Sequence, residues 1–383
     1  MINLKSYTFA IVTHVYATGP SFKLEEYLIP KSKTLIFIGH PFAYSSDTRS
    51  FLRIYKHGEL VVDEKFLRWK GPELIFYIKD IILTAWWLTK YNHKIDYYIG
   101  VDSLNFLVGY FFKYFKKIHS LVYYTIDYVP QRSSNSILNS AYHFLDRLGV
   151  SKSDKVWNLS KVMVEVREKN GVIKKYRKKQ IVVPVGTDIN VKVLPFSKIN
   201  KNKVVFMGHL REGQGVDLLI SAMIDVIKKI PNAHLLIIGG GPLESHLKKI
   251  AKTFKMEKHI KFSGFVKEFS DVEKMLQDSA IAVAPYVDDK KTYTRYTDPG
   301  KPKDYLAHGI PVIITKVPQV AYEIHKNKCG FAIDYNEEEL SSMLIKLLQD
   351  KKQLAFFRKN ALEMAQEYSW NKIFNNALQG TLF

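Results

Sequence analysis

Short apolar runs alternate with amphipathic segments along most of the chain. Residues 7–14, 34–39, 97–101, 121–125 and 155–158 are apolar and β-rich, and helix-like segments such as 161–169 stand between or after them. Such runs suit strands buried on both faces, so their order predicts a parallel sheet covered by helices on each side. The pattern pauses at Lys174-Lys175-Tyr176-Arg177-Lys178-Lys179, and a polar stretch follows at 198–203. A second series then begins. Residues 204–207 read as a strand, and Leu218, Leu219, Met223, Val226, Ile227 and Ile230 form a helical stripe. Residues 235–238 read as a strand stopped by Gly239-Gly240-Gly241-Pro242. Further strands are expected at 260–262, 281–284 and 311–314, with a helix starting at Asp304 and ended by Gly309.

The expected fold class is therefore α/β, with two Rossmann-like domains. Composition places their junction near 190–202, giving domains 1–190 and 191–370 with a last segment 371–383. A chain of 383 residues is comfortable as two domains. In folds of this kind ligands bind at the carboxyl ends of the strands.

Composition narrows the setting. The longest apolar stretch, 74–88, is interrupted by Lys79 and Asp80 and falls short of a membrane span. The beginning of the chain lacks a secretory pattern, and Cys329 is the only cysteine, which excludes an internal disulfide and a cysteine metal cluster. These features lead us to expect a cytoplasmic protein. The net charge of +20 attracts polyanions, including phosphorylated substrates and anionic lipid. No zinc-finger, helix-turn-helix or RNA-binding aromatic motif is present, so nucleic acid is not an expected partner.

The densest chemistry lies in Asp298-Pro299-Gly300-Lys301-Pro302-Lys303-Asp304-Tyr305-Leu306-Ala307-His308-Gly309-Ile310-Pro311-Val312. It reads as a loop entering a helix, whose first free amides can face an anion. Gly300 lets the backbone come close, Lys301 offers a point charge to a diphosphate, and Asp304 can accept from vicinal ribose hydroxyls. An exposed Lys301–Asp304 pair beside a turn is the alternative from local chemistry alone.

This segment resembles the donor-site signature of GT-B glycosyltransferases, nearest to the family-4-like set also described as glycosyl transferases group 1. Other pieces follow in that family's order. Val205-Phe206-Met207-Gly208-His209-Leu210 and Gly215-Val216-Asp217-Leu218-Leu219-Ile220 resemble its first C-domain strand, loop and helix. Leu236-Ile237-Ile238-Gly239-Gly240-Gly241-Pro242 resembles its second strand and loop, and Ile260-Lys261-Phe262-Ser263-Gly264-Phe265-Val266 its base-contacting segment. Val183-Pro184-Val185-Gly186-Thr187-Asp188 is similar to its interdomain strand end, and Tyr368-Ser369-Trp370 to the start of a last helix crossing back to the first domain. The resemblance implies a nucleotide-sugar donor, UDP- or GDP-linked, held by 191–370, an acceptor-binding domain 1–190, and 371–383 packed on that first domain. It implies donor contacts from Gly208, His209, Arg211, Gly239, Gly241, Phe265, Tyr296, Gly300, Lys301 and Asp304.

Some positions depart from the family. His209 and Gln214 stand where it has diphosphate-binding arginine and lysine, with Arg211 as a neighbouring substitute. Tyr296 stands where the first acid of its acidic pair would fall, while Asp304 matches the second. A transferase of this kind, retaining in outcome, needs no cofactor and no metal, because basic groups and helix N-termini neutralise the leaving diphosphate. Asp288-Asp289 reads as a solvated pair among lysines.

In the first domain, Thr18-Gly19-Pro20-Ser21 follows the first strand, and Gly19 and Ser21 are candidates for a loop facing the donor phosphates and acceptor. Asp127, in Tyr124-Thr125-Ile126-Asp127-Tyr128-Val129-Pro130, is a candidate base or acceptor-positioning group, with a loop-capping role as the alternative. Asp102, His14 and His40 also fall at strand ends. Two segments, 66–94 (with Trp69, Trp86 and Trp87) and 106–117, mix aromatics with bases. Most of these aromatics are expected in the core, yet 110–117 suits a membrane interface. Lipid-linked acceptors are common in the resembled family, so peripheral contact with the inner face of the cell membrane is expected. A glycan or polysaccharide acceptor is equally open. A nucleotide-sugar epimerase of the same fold is the rival, and a basic nucleic-acid binder a more distant one.

Overall fold

A computed structural model describes residues 3–15, 19–66, 68, 71–289 and 293–382, apart from the side chains of Glu73 and Leu74. Thr18 and Trp69 lie outside the described residues. The chain divides into two units, Met1–Pro184 with Trp370–Phe383, and Val185–Ser369.

The first unit runs β1 (Thr8–Val15), α1 (Pro20–Leu28), β2 (Thr34–Pro41), β3 (Ser50–Lys56), β4 (Glu59–Phe66), α2 (Glu73–Tyr91), β5 (Ile95–Val101), α3 (Asp102–Tyr114), β6 (Ile118–Thr125), α4 (Ser136–Lys152), β7 (Lys155–Asn158), α5 (Lys161–Lys169) and β8 (Gln180–Val182). Its eight strands are ordered β4-β3-β2-β1-β5-β6-β7-β8. Every residue of β2 is buried, as a strand covered on both faces requires. The sheet is mixed, which corrects the expectation of a purely parallel one: β3 pairs antiparallel with β2, and β4 with β3. His57 and Gly58 both take positive φ (51° and 93°), the requirement of a two-residue hairpin turn whose twist matches its strands. The alternating half-buried pattern of β3 hid it among loop residues in the sequence.

One core layer of this unit joins the sheet to α2, α3 and α4 through Leu83, Trp87, Phe106, Val108 and Val150. A fully buried ion pair, Arg167–Asp146, ties α5 to α4, with further bonds from the guanidinium to Thr125 and Asn158. The guanidinium lies 4.8 Å from the ring of Tyr128, so its face is covered as well as its edges.

The second unit runs β9 (Asn200–Met207), α6 (Val216–Lys229), β10 (His234–Ile238), α7 (Glu244–Thr253), β11 (Ile260–Phe262), α8 (Phe269–Leu276), β12 (Ser279–Ala284), α9 (Lys301–Ala307), β13 (Val312–Thr315), α10 (Val320–Lys326), β14 (Gly330–Ile333), α11 (Glu337–Gln349) and α12 (Lys351–Glu367). Its sheet, β11-β10-β9-β12-β13-β14, is parallel throughout. The helix expected from Asp304 begins three residues earlier, so Lys301 sits on α9 itself. The unit starts at Val185, before the polar stretch chosen from composition. Its amide donates to Asp298 at 2.7 Å and its carbonyl accepts from Lys303 at 2.7 Å, so the chain is already bound to α9 there. The last helix, α13 (Trp370–Leu382), belongs to the first unit and packs on α1 and β8.

Candidate active site

The loops at the carboxyl ends of β9, β10 and β11 are knitted together by their backbones. Gly208 donates to Ile238 at 2.9 Å, Leu210 to Gly240 at 2.9 Å, and Gly239 to Gly264 at 3.1 Å. Gly239 has φ +130°, and a Cβ there would lie 2.0 Å from the Gly208 carbonyl oxygen. A Cβ on Gly241 would lie 2.4 Å from the Leu210 carbonyl oxygen. The glycine run is therefore what lets these two loops touch.

Helix α9 closes the other side. Pro302, Lys303, Tyr305, Leu306 and Ala307 are buried. The Tyr305 phenol oxygen accepts from the Met207 amide at 2.6 Å, docking the helix on the last residue of β9. Lys303 is fully buried, ion-paired with Asp298, and lies 4.3 Å from the Tyr368 ring. Burial pushes Asp298 up and Lys303 down, and their mutual attraction opposes both shifts. This pair fastens Val185 and is structural.

With those side chains turned inward, Lys301 and Asp304, three residues apart, are left half-buried on the remaining face of α9. Lys301 Nζ donates to Gln214 Oε1 at 3.1 Å. A Cβ on Gly208 would lie 2.5 Å from the same ammonium, so the charge rests directly on the loop. Burial lowers Lys301 to about 8, aided by Arg211 and opposed by Asp304. Asp304 Oδ1 accepts from Thr187 Oγ1 at 2.8 Å. Burial raises Asp304 to about 7 against that hydrogen bond, with Asp188 adding to the rise. Both groups thus sit where a modest change of environment decides their charge.

Other candidates in this unit stand at varying depth. His209 is exposed, and Gln214 is buried beneath Lys301. Arg211 donates to the Tyr293 hydroxyl and stacks on that ring at 5.0 Å. Phe265 is 81% exposed, and its Cβ would lie 3.3 Å from one added at Gly240. Tyr296 is half-buried behind the short turn Tyr293–Arg295, and Gly300 directly precedes α9. Pro302 removes one amide from the first turn, so the anion-facing backbone of α9 is poorer than the motif implied. Gln214, expected at the site in place of a family lysine, is there as the acceptor of Lys301. Sequence reasoning missed Thr187 and Tyr293 as neighbours of the site; only folding brings them to Asp304 and Arg211. Asp288, read as solvated, is ion-paired with Arg295. Among the described residues no three His, Cys, Asp or Glu are grouped as a metal site.

In the first unit, Gly19 caps α1 and Ser21 is buried, its hydroxyl accepting from Thr13 at 3.3 Å. Asp127 is half-exposed and ion-paired with Arg132 at 2.6 Å. Asp102 opens α3 with φ +63°, a conformation costly for a residue bearing a side chain. Burial and the neighbouring Asp127 raise Asp102 to about 6, opposed by Arg132 and His14. His14 shares its ring nitrogens between Asp80 (3.2 Å) and Asn105 (3.0 Å), while His40 bonds Ser50 and Thr84. Burial alone would raise Asp80, but hydrogen bonds from both histidines hold it well below the usual carboxylate range.

Residues 194–364 match the family model described as glycosyl transferases group 1. A protein of Haemophilus influenzae described as an uncharacterized glycosyltransferase is 23% identical over 231 residues, 59% of this chain and 60% of that relative. The match therefore spans less than two thirds of that relative. Among solved structures, sucrose-phosphate synthase from Thermosynechococcus elongatus aligns with TM-score 0.71 at 14% identity, over 97% of this chain and 98% of that one. Anabaena HepE in complex with UDP aligns with TM-score 0.72 at 14% identity and the same coverage. At such identities the likeness establishes the fold, the GT-B fold of these enzymes.

Proposed function

We propose that this chain, which belongs to the glycosyl transferases group 1 family, moves a sugar from a nucleoside diphosphate sugar to a hydroxyl of a glycan, polysaccharide or lipid-linked acceptor. The observation that carries the proposal is the Lys301 ammonium, half-buried against Gly208 where the β9 loop meets α9, with Asp304 one turn on. Lys301 takes the diphosphate, with Arg211 in reach on the exposed side. Asp304 accepts from the ribose, and Phe265 offers a ring to the base. UDP is the first nucleotide to test, since it occupies the similar HepE structure.

In the reaction the acceptor oxygen bonds to the anomeric carbon as that carbon's bond to the diphosphate oxygen breaks. The nucleoside diphosphate leaves with the electron pair, and the acceptor proton passes to it or to solvent. Cationic and amide donors around Lys301 stabilise the charge growing on the leaving group, and this is where most of the rate enhancement is expected. Asp127 is already paired with Arg132, which favours acceptor positioning over proton abstraction and so favours retention at the anomeric carbon. The donor in this reading is a cytoplasmic nucleotide sugar.

Calorimetric titration with UDP tests the site. Lys301→Ala and Asp304→Ala should each weaken binding at least about tenfold, the scale of one charge-assisted hydrogen bond. Unchanged affinity in both variants, with their thermal midpoints preserved, refutes the assignment.

A further inference from the structure

We propose that the outer face of the layer formed by α2, α3 and α4 docks on the surface of an anionic lipid bilayer. The sugar-transfer reading is not needed for this; it rests on the first unit's own surface. Helix α3 packs beside both α2 and α4, and all three bury their inner faces in one core.

The outer face of α2 is the anomaly. Ile75, Ile78, Ile82 and Trp86 are all exposed, at helical spacing along most of its length. Phe66 joins them, its ring 5.2 Å from Trp86. No position open to solvent between Ile75 and Trp86 carries a charge. The two charges in that span, Lys79 and Asp80, are turned inward and pair at 3.0 Å. An apolar outer face of this kind belongs under cover.

The neighbouring helices continue the pattern. At the end of α3, Phe111, Tyr114 and Phe115 are exposed in one ring cluster, with Phe111 and Phe115 4.8 Å apart. On α4, Ile137, Leu138 and Phe144 are exposed.

Charge selects the occupant. The exposed charges at the C-terminal ends of these helices are mostly cationic: Lys90 and Lys94, then Lys116 and Lys117, then Lys152; of the acids beside them, Asp154 is ion-paired with Lys113 and Glu64 with Lys90. Among the acids described on the three helices none is exposed, since Asp80 and Asp146 are buried and Asp102 is half-buried. The first unit holds 29 lysines and arginines against 15 acids, the second 28 against 22. An apolar face edged mainly by cations fits an anionic interface, where rings and isoleucines enter the headgroup region and lysines meet phosphates. A second copy of the same face would bring like charges together. No described helix is long and apolar enough to cross a membrane, so the contact is peripheral.

The test is co-sedimentation of the full chain with vesicles of equimolar phosphatidylcholine and phosphatidylglycerol, and with pure phosphatidylcholine. Binding to the anionic vesicles at low salt is expected, weakening as salt rises. Ile78→Glu with Ile82→Glu should reduce the bound-to-free ratio by about tenfold or more, and Lys116→Glu with Lys117→Glu should remove most of the salt-sensitive part. Both pairs are exposed, so thermal midpoints and UDP affinity should stay at wild-type values, which separates this surface from the donor site. The proposal is overturned if the wild-type chain stays in the supernatant, if the isoleucine variant binds as the wild type does, or if sedimentation shows a dimer that this variant abolishes.

Discussion

The Lys301 ammonium occupies the space that a side chain on Gly208 would need, 2.5 Å from where its Cβ would stand. Gly208 does not have positive φ, so alanine there is tolerated by the backbone and displaces chiefly the flexible end of Lys301, with the Phe206 ring edge 3.2 Å away needing a shift of a few tenths of an ångström. Gly208→Ala should therefore lower UDP affinity roughly ten- to a hundredfold while changing stability by less than about 1 kcal/mol. Isothermal titration beside urea denaturation reads both. A large loss of stability with unchanged affinity would mean that the glycine serves the loop and not the lysine.

Donor affinity should be highest between about pH 7 and 8, where Asp304 has lost its proton and Lys301 still holds its own. Below that window Asp304 becomes protonated and loses an acceptor for ribose. Above it Lys301 becomes neutral and loses its hold on the diphosphate. Lys301→Arg should keep binding on the alkaline side, because a guanidinium stays charged. Titrations with UDP from acid to alkaline pH would show a flat profile if neither group contacts the ligand.

The same burial sets a stability gradient in the ligand-free chain. Asp304 holds its proton more tightly folded than unfolded, so its contribution is full at acid pH and is lost as pH rises towards about 7. Asp304→Asn should remove that part of the dependence. The check is the urea midpoint of both chains across this range; parallel slopes would contradict it.

Tyr305→Phe removes the acceptor of the Met207 amide at the end of β9. A buried amide left unsatisfied costs about 1–3 kcal/mol. The loss should appear as reduced stability together with weaker UDP binding, since α9 would no longer be held on β9. An unaltered melting curve would show that the amide finds another partner.

Arg167 is a buried cation whose loss leaves Asp146 as an uncompensated charge. Arg167→Met should destabilise the chain by about 3–5 kcal/mol. Chemical denaturation measures it, and the double variant Arg167→Met with Asp146→Leu should recover a large part of the loss.

Much of the fold was legible because parallel strands covered on both faces write themselves as unbroken apolar runs, as residues 204–207 and 235–238 do. The β3–β4 hairpin was not, because a half-exposed antiparallel pair such as Arg53 and Asp63 looks like loop. At the site, Lys301 and Asp304 stood out through their spacing and the glycine and prolines around them. Thr187 did not, since its significance lies in a distance of 2.8 Å across 117 residues of chain; Gln214 stood out only as the replacement of a family lysine, not as the acceptor of Lys301 at 3.1 Å. The apolar outer face of α2 was invisible for a related reason. Isoleucine and tryptophan read as core until the fold shows which way they point.

The final helix gives the chain an order of manufacture. Trp157 donates to Thr381 at 2.9 Å and Lys155 to Gly380 at 2.6 Å, so α13 completes the unit that begins at the N-terminus. Val185–Ser369 is continuous and can close as soon as it emerges from the ribosome, whereas the unit begun before it waits for a helix made after it. Until then the surface that receives α13 is uncovered, and a chain arrested short of Trp370 offers it to chaperones and proteases.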